Sequence, residues 1–317
     1  MNHEITVVIP YHNERDTIEY TLERVGMQSM PAKVAIFVNS SSTDSSSPII
    51  DQWINKNQER FSTIFKNIFQ DTDNPASSKN VGIRIADTEW IAFMDCGQNF
   101  DLDWLESQMR YVRTNHVDVV SGVVYLIGGN WVDRCAVSQT YGYKRNRPCL
   151  PTTLVKKSVF SKTGFLLEGR RAGYDAAWPI KLRKLGVQRG VNEKVKIFYI
   201  GINFSSTLLA LFKKSVLYAK STVKIEGYRV PWLYLMFPIL VLLLMLISLN
   251  LSMSLIAIYF IARIFLLPVY KSRGIQYFKE HPVESLLGLG LVGLIIDLGK
   301  MVGILQGVKL YYLKRQV

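Results

Sequence analysis

Asp95 stands at the end of the apolar run WIAFM, residues 90–94, and is followed by Cys96 and Gly97. In an open α/β sheet, a strand that ends on a carboxylate delivers it to the crevice beyond the carboxyl ends of the strands, where a metal or a phosphate-bearing ligand is met. A strand-end Asp can equally cap the helix that follows, here a pattern over 102–115, and one carboxylate does not decide between the two. A second polar patch, Asn39 within the run NSSSTDSSS, follows the apolar stretch VAIFV. Its amide can bond a base edge and its hydroxyls a ribose; a solvated Ser-rich turn is the other reading. Arg170 and Arg171 have the fork geometry to grip a diphosphate, or are simply solvated. The basic, aromatic stretch YGYKRNRPCLP over 141–151 has the composition of a flap that closes on ligands, and equally of a surface loop.

The elements that would position these residues alternate between two periods. Residues 5–9, ITVVI, read as a strand closed by Pro10, with Asn13 as N-cap and Asp16 as first-turn acid of a helix over 14–28. A second strand over 34–38 leads to a helix opening on Pro48 and running to about Asn57, capped by Ser46 or Ser47. A third strand is expected over 62–69, and then a short helix over 77–86 whose Gly82 lets it lie close to a sheet. Strands over 90–94 and 152–156 follow. This alternation predicts an α/β fold of right-handed βαβ units, with a mainly parallel sheet flanked by helices. No GxGxxG follows the first strand and no GxxxxGK[ST] occurs, which argues against a dinucleotide or P-loop site.

The 317 residues are 49% hydrophobic with a formal net charge of +13, but the mean covers two different halves. Up to about residue 228 the composition suits a soluble domain, whereas 230–305 is mostly apolar and suits a bilayer. The positive excess is scattered beside the apolar stretches with no nucleic-acid module, so it is read as facing anionic lipid or phosphate, with no nucleic acid among the partners. Cys96, Cys135 and Cys149 show neither a disulfide nor a zinc spacing and fit a reducing compartment. The N-terminus enters a strand directly, without the pattern of a cleavable signal, so the first half is expected in the cytoplasm.

Three parts are therefore expected: a domain over 1–207, an amphipathic interfacial segment over 208–229 bearing Lys213, Lys214, Lys220 and Lys224, and a membrane region over 230–317. Residues 230–249 and 251–270 are expected to span, the second with Arg263 and Pro268 inside it. In lipid Arg263 is costly unless it faces protein, water or a phosphate group; a contact with a lipid phosphate is expected, and a snorkelling structural Arg is the other reading. The segment 283–307 carries Gly299, Gly303 and Gly307 at small-xxx-small spacing, and Asp297 and Lys300 one helical turn apart. Its charges and the basic tail, Lys309, Lys314 and Arg315, predict an interfacial or re-entrant segment with a cytoplasmic C-terminus.

Four stretches in order resemble the motifs of the family 2 inverting glycosyltransferases, which have the GT-A fold. VVIPYHNE at 7–14 is similar to the opening strand and its loop, and VNSSSTD at 38–44 to V-D-D-G-S-T-D. SSKNVGIRIADTEWIAFMDCGQNF at 77–100 resembles the A-R-N-x-G helix and the strand carrying D-x-D. GFLLEGRRAGYDAAWPIKLRKLG at 164–186 resembles the segment whose Glu-Asp pair holds the catalytic base. The resemblance implies a GT-A-type, Rossmann-like fold with Asp175 as the base. It also implies a nucleotide-sugar site, for a UDP-sugar, formed by Pro10, Tyr11, Asn13, Glu14, Asn39, Ser41, Asp44, Lys79, Asn80, Asp95, Arg170 and Arg171. With the membrane segments it implies transfer to a lipid-linked or membrane-proximal glycan in polysaccharide biosynthesis, at a bacterial cytoplasmic membrane. Three positions depart from the family. Asn39 replaces the Asp that accepts the uracil N3 hydrogen, Gly97 replaces the second Asp of D-x-D, and Tyr174 replaces the Glu before Asp175. Asp95 is then the one carboxylate of its motif that can anchor Mn²⁺ or Mg²⁺. Two neutralised carboxylates also leave open a non-catalytic membrane protein on a degenerate transferase fold.

Overall fold

The computed structural model describes residues 5–72, 74–141, 147–169, 172–202, 207–223, 225 and 230–310. The chain forms two compact units, Met1–Tyr125 with Asn146–Tyr199, and Leu126–Arg145 with Ile200–Val317. In chain order the elements are β1 (Ile5–Tyr11), α1 (Ile18–Gly26), β2 (Val34–Ser40), α2 (Ser46–Asn57), β3 (Ile64–Gln70), α3 (Pro75–Ile85), β4 (Trp90–Phe93), α4 (Trp104–Asn115), β5 (Val119–Gly128), α5 (Trp131–Tyr141), β6 (Arg147–Pro148), β7 (Leu154–Lys156), α6 (Ser158–Thr163), α7 (Tyr174–Lys184) and β8 (Arg189–Ile202). They are followed by α8 (Leu208–Thr222), α9 (Val230–Ile247), α10 (Leu249–Ser272), α11 (Gln276–Glu280) and α12 (Glu284–Val308).

The strand order is β3-β2-β1-β4-β7-β5-β6, with β8 paired to β5. The pairs from β3 to β4 are parallel and those from β4 to β6 antiparallel, so the expected parallel sheet occupies one half of a mixed one. Alternation along β1 explains the layers. Val7, Ile9 and Tyr11 point into a core closed by α1, α2 and α4, while Val8 points into the opposite core closed by α3, α6 and α7. Parallel register brings Tyr11 opposite Asn39 and Val8 opposite Phe93, so three strand ends open on one edge.

Local differences from the sequence expectation have physical causes. The first strand continues through Pro10 to Tyr11 instead of stopping at Ile9. Val8 O accepts from Met94 N, and parity places Pro10 on that same side, where the β4 ladder has already ended and no donor is needed. Helix α1 starts at Ile18 with Thr17 at the N-cap, not at residue 14 behind Asn13. Asn13 is in the left-handed region (φ 57°) and its side-chain oxygen is taken by the next loop. Helix α2 begins at Ser46, two residues before Pro48; Asp44 accepts from Ser46 N at 3.0 Å.

In the second unit α12 is the central element. Among its glycines, a Cβ at Gly299, Gly303 or Gly307 would lie 2.7, 2.3 and 2.8 Å from atoms of α8, and one at Gly293 would lie 2.6 Å from the Arg263 guanidinium of α10. The glycine face expected on 283–307 thus receives α8 along its C-terminal half. Arg263 faces protein: its Nη2 donates to Gly293 O (2.7 Å) and Asp297 Oδ1 (3.1 Å), and its Nη1 to Gln139 Oε1 (2.8 Å). Asp297 also accepts from Tyr234 and Tyr259, while Lys300 donates to the Tyr234 hydroxyl. Asp297 forms its ion pair with Arg263. Among the described residues two helices are long and apolar enough to cross a membrane, Leu249–Ser272 and Glu284–Val308, whereas the apolar helix Trp232–Ile247 is shorter. Leu249–Ser272 covers the expected 251–270, Glu284–Val308 the segment 283–307, and the shorter helix lies within the expected 230–249. Lys224, Lys314 and Arg315 lie outside the described residues.

Candidate active site

The loops after β1 and β2 are locked together before any ligand arrives. Asn13 Oδ1 accepts from Thr43 N (2.8 Å) and Asp44 N (3.3 Å), Glu14 N donates to Ser46 Oγ (2.8 Å), and Arg15 N donates to Asp44 Oδ2 (3.2 Å). Asn39, at the end of β2, accepts from Ser42 N at 2.8 Å, which spends one of the two lone pairs of its amide oxygen on the turn. Ser41, also left-handed (φ 55°), donates to Asp71 Oδ1 and accepts from Thr72 N. Although burial works against its charge, Asp44 is held below the usual carboxylate range by the Ser46 hydroxyl and by the Ser46 and Arg15 amides.

At the end of β4 the chain turns through Asp95, Cys96 and Gly97. Gln98, fully buried, accepts from Asp95 N (3.1 Å) and fixes the turn. Cys96 points inward against Thr17 and Thr21, and burial pushes its thiol up to about 12. Gly97 has φ +71°, and a Cβ there would sit 3.2–3.4 Å from Thr17, so a bare glycine suits the turn where the family carries its second Asp. Asp95 does not cap the next helix, whose N-cap is Asp103. Its Oδ1 lies 2.7 Å from Lys79 Nζ, and Lys79 is only 1% exposed while Asp95 is 35% exposed.

Lys79 ties three elements together. It is on α3, which Asn74 caps by accepting from Ala76 N and which Pro75 opens. Its ammonium lies 5.9 Å from the centre of the Tyr174 ring. Burial alone would lower the pKa of so enclosed a lysine, but the charges of Asp95, Tyr174 and Asp175 and the Asp95 hydrogen bond raise it above the ordinary value. Asp175, exposed in the first turn of α7, is thus within electrostatic reach of the same ammonium. It is not the N-cap; that position is Gly173 (φ 94°), whose carbonyl accepts from Ala176 N and Ala177 N. Glu14 also faces this region. Burial pushes its carboxyl up, the Thr17 hydroxyl donating at 2.6 Å opposes this, and the charges of Asp95 and Asp44 add to the rise.

Of the residues singled out from sequence, Asn13, Glu14, Asn39, Ser41, Asp44, Lys79 and Asp95 gather at the strand ends or in the loops beyond them, and Lys79 links them to Asp175. Pro10 contributes backbone within β1. Tyr11 turns into the core, where its hydroxyl donates to Asn67 at 2.7 Å. Asn80 is fully buried and bonded to the chain near Leu166. Arg170 and Arg171 lie outside the described residues, as do residues 142–146 of the 141–151 stretch. Gln98 and Glu168 had no sequence signal, because the partner of one is a backbone amide and that of the other is 88 residues away.

A divalent cation would find few protein ligands here. One oxygen of Asp95 is on an ammonium, Cys96 is turned away, Gly97 has no side chain, and among the described residues no three His, Cys, Asp or Glu side chains group to hold an ion. Such a donor set fits a cation that arrives on a diphosphate and takes its other ligands from phosphate and water.

The sequence profile of glycosyl transferase family 2 matches residues 6–168, and the chain belongs to that family. A poly(ribitol-phosphate) beta-glucosyltransferase of Bacillus spizizenii is 29% identical over 139 residues, which are 43% of this chain and 22% of that protein. The chain thus matches less than a quarter of that relative's length. Among solved structures, a mannosyltransferase from Pyrobaculum calidifontis in complex with GDP-Man and Mn²⁺ superposes with a TM-score of 0.58 at 13% identity, over 94% of this chain and 87% of its own. The S. aureus TarS 1-349 structure with UDP-GlcNAc gives 0.51 at 14% identity, over 95% and 90%. At these identities the likeness is one of fold, the GT-A type.

Proposed function

We propose that the chain is an inverting glycosyltransferase that moves a sugar from a UDP-sugar to a hydroxyl of a lipid-carried or membrane-proximal glycan, at the cytoplasmic face of a bacterial membrane. The observation that carries this is the buried Lys79, which joins Asp95 at the donor end of the sheet to the first turn of α7 where Asp175 stands. A UDP-sugar and a GDP-sugar in two proteins of this fold support a nucleotide-sugar donor, and the poly(ribitol-phosphate) in the name of the Bacillus spizizenii relative supports a polymer as acceptor.

In this reading the base meets Asn39, the ribose meets Ser41 and Asp44, and the diphosphate lies towards Asp95. Asp175 takes the proton of the acceptor hydroxyl as its oxygen bonds to the anomeric carbon from the face opposite the nucleotide. The bond from that carbon to the diphosphate oxygen breaks, its electron pair leaves with the nucleotide, and the configuration inverts. A divalent cation carried in on the diphosphate would be held on the protein side by Asp95 and would offset the charge of the leaving group.

Asp175→Asn keeps the shape and loses the base. It is expected to bind nucleotide-sugars as the unaltered protein does, in a screen with and without Mn²⁺, and to lose transfer by about a hundredfold or more. Unchanged turnover would remove Asp175 from the mechanism. If the unaltered protein bound no nucleotide-sugar in either condition, the non-catalytic reading would take its place.

A further inference from the structure

Asn80 was expected to touch the donor, but its geometry gives it other work. Its side chain is fully buried, and all its polar capacity is directed at one stretch of chain. Oδ1 accepts from Leu166 N at 2.9 Å, and Nδ2 donates to Leu166 O at 2.8 Å and to Glu168 Oε1 at 2.6 Å. Arg84, one turn further along α3, also donates to Glu168 Oε1, at 3.1 Å. An amide that reads both the N–H and the C=O of one residue fixes that residue's backbone as a strand partner would, and buried bonds of this kind are costly to leave half-made.

Leu166 is 2% exposed and shares its apolar cluster with Trp178 and Leu182 of α7, with Tyr174 packed against it. The backbone that Asn80 holds is therefore seated in the same core as the helix whose first turn presents Asp175. Gly164 and Gly169, on either side of the held residues, have φ +67° and +73°, and a Cβ on either would meet nothing within 4 Å. Their glycines answer to backbone conformation and not to close packing at those two positions. Lys79, the preceding residue of α3, grips Asp95. Two consecutive residues of one helix thus address the donor end and the α7 end of the site.

We infer that Asn80 is a positioning residue for Asp175: through Leu166 and Glu168 it holds the chain that seats α7, and so sets where the base stands relative to the donor. This rests on the assignment of Asp175 as base and adds the residue that places it. Asn80 itself contacts neither substrate.

The test is a double-mutant cycle on the full chain. Asn80→Ala should lower kcat for transfer by about ten- to a hundredfold, the cost of misplacing a reacting group by about an ångström, with nucleotide-sugar Kd changed less than about twofold. In the Asp175→Asn background the same substitution should have no further effect on the residual rate, because there is no base left to misplace. Glu168→Gln combined with Asn80→Asp restores a donor–acceptor pair between 80 and 168 with reversed polarity and should recover part of the rate lost by Asn80→Asp alone. A parallel loss of donor affinity, or losses that multiply in the double variant, would overturn the inference. Should Asn80→Ala not fold, the Asn80→Asp and Glu168→Gln pair carries the same cycle, and absence of any recovery counts against it. Failure of the base assignment is seen separately, as normal turnover by Asp175→Asn alone.

Discussion

A lysine with 1% of its surface exposed needs its counter-charge supplied by the fold, and Lys79 has it in Asp95 at 2.7 Å. The two ends of this pair are not equivalent. Asp95→Ala leaves an ammonium buried without its carboxylate and should cost about 3 kcal/mol of stability, whereas Lys79→Met leaves a carboxylate that water already reaches and should cost nearer 1 kcal/mol. Chemical denaturation of both variants checks the order. Because the folded-state pKa of Lys79 is raised, the contribution of the pair is fully present below the ordinary lysine pKa of 10.5 and lost as pH rises through the folded value. The deficit of Lys79→Met should therefore be flat from pH 6 to 9; a deficit that grows or vanishes in that interval would contradict the pairing. From sequence, Asp95 could be placed at a strand end by the apolar run before it. That it is paired, and with what, depends on a residue sixteen positions earlier on a helix, and no local pattern carries that. Tyr11 shows the opposite failure: it sits in a motif-like loop entrance, but strand parity turns it into the core towards Asn67.

At the scale of elements, α3 was the most legible, since a helix with Gly82 inside it had to approach the sheet closely, and a Cβ at Gly82 would lie 2.3 Å from Val8 Cγ1 of β1. Gly82→Ala must push α3 off β1, with an overpacking cost of about 1–3 kcal/mol, and should weaken nucleotide-sugar binding as Lys79 is displaced. Gly164→Ala meets no atom and should cost about 1–3 kcal/mol from its backbone alone, since φ 67° with ψ 176° is a region that essentially only glycine adopts, with donor affinity intact. Equal effects on affinity would show that α3 does not set the donor end. Less legible were the starts of α1 and α2. Asn13 and Asp44 are good capping residues locally, but Asn13 is spent on the Thr43 and Asp44 amides of the neighbouring loop, a tertiary contact that outranks propensity. In the antiparallel half a strand was expected over 152–156, where β7 lies, but its direction was not; β6, two residues long, is too short to show a period, and the longer β5 and β8 were not expected.

At the scale of the whole chain, the membrane segments set charge against packing. Asp297 and Lys300 within α12 argued from sequence against a full crossing, but the structure answers much of that cost, since Asp297 is paired with Arg263 and Lys300 bonded to Tyr234. Packing gives a stronger reason for the same expectation. From Gly299 to Gly307 the backbone of α12 lies directly on α8, which carries Lys213, Lys214 and Lys220 among exposed Leu209, Leu217 and Tyr218. We propose that α8, with its three lysines and exposed apolar residues, lies at a headgroup surface, in which case the C-terminal half of α12 shares that depth. Just over half of the apolar window of α12 is buried inside the protein, against 17% for α10, as expected for a helix enclosed by its neighbours. Helix α9, 18 residues or about 27 Å long, pairs with α10 through Ser252 Oγ to Val241 O and Phe237 on Tyr259, and a hairpin of that length crosses a core of about 30 Å with slight thinning. We therefore propose that α9 and α10 form the crossing hairpin and that the C-terminus is cytoplasmic. Reporters fused after Val317 and inserted after Asn250 should read opposite sides, with the C-terminal one cytoplasmic. A C-terminal reporter active only on the outer side would require α12 to cross, and with it α8 to leave the membrane surface.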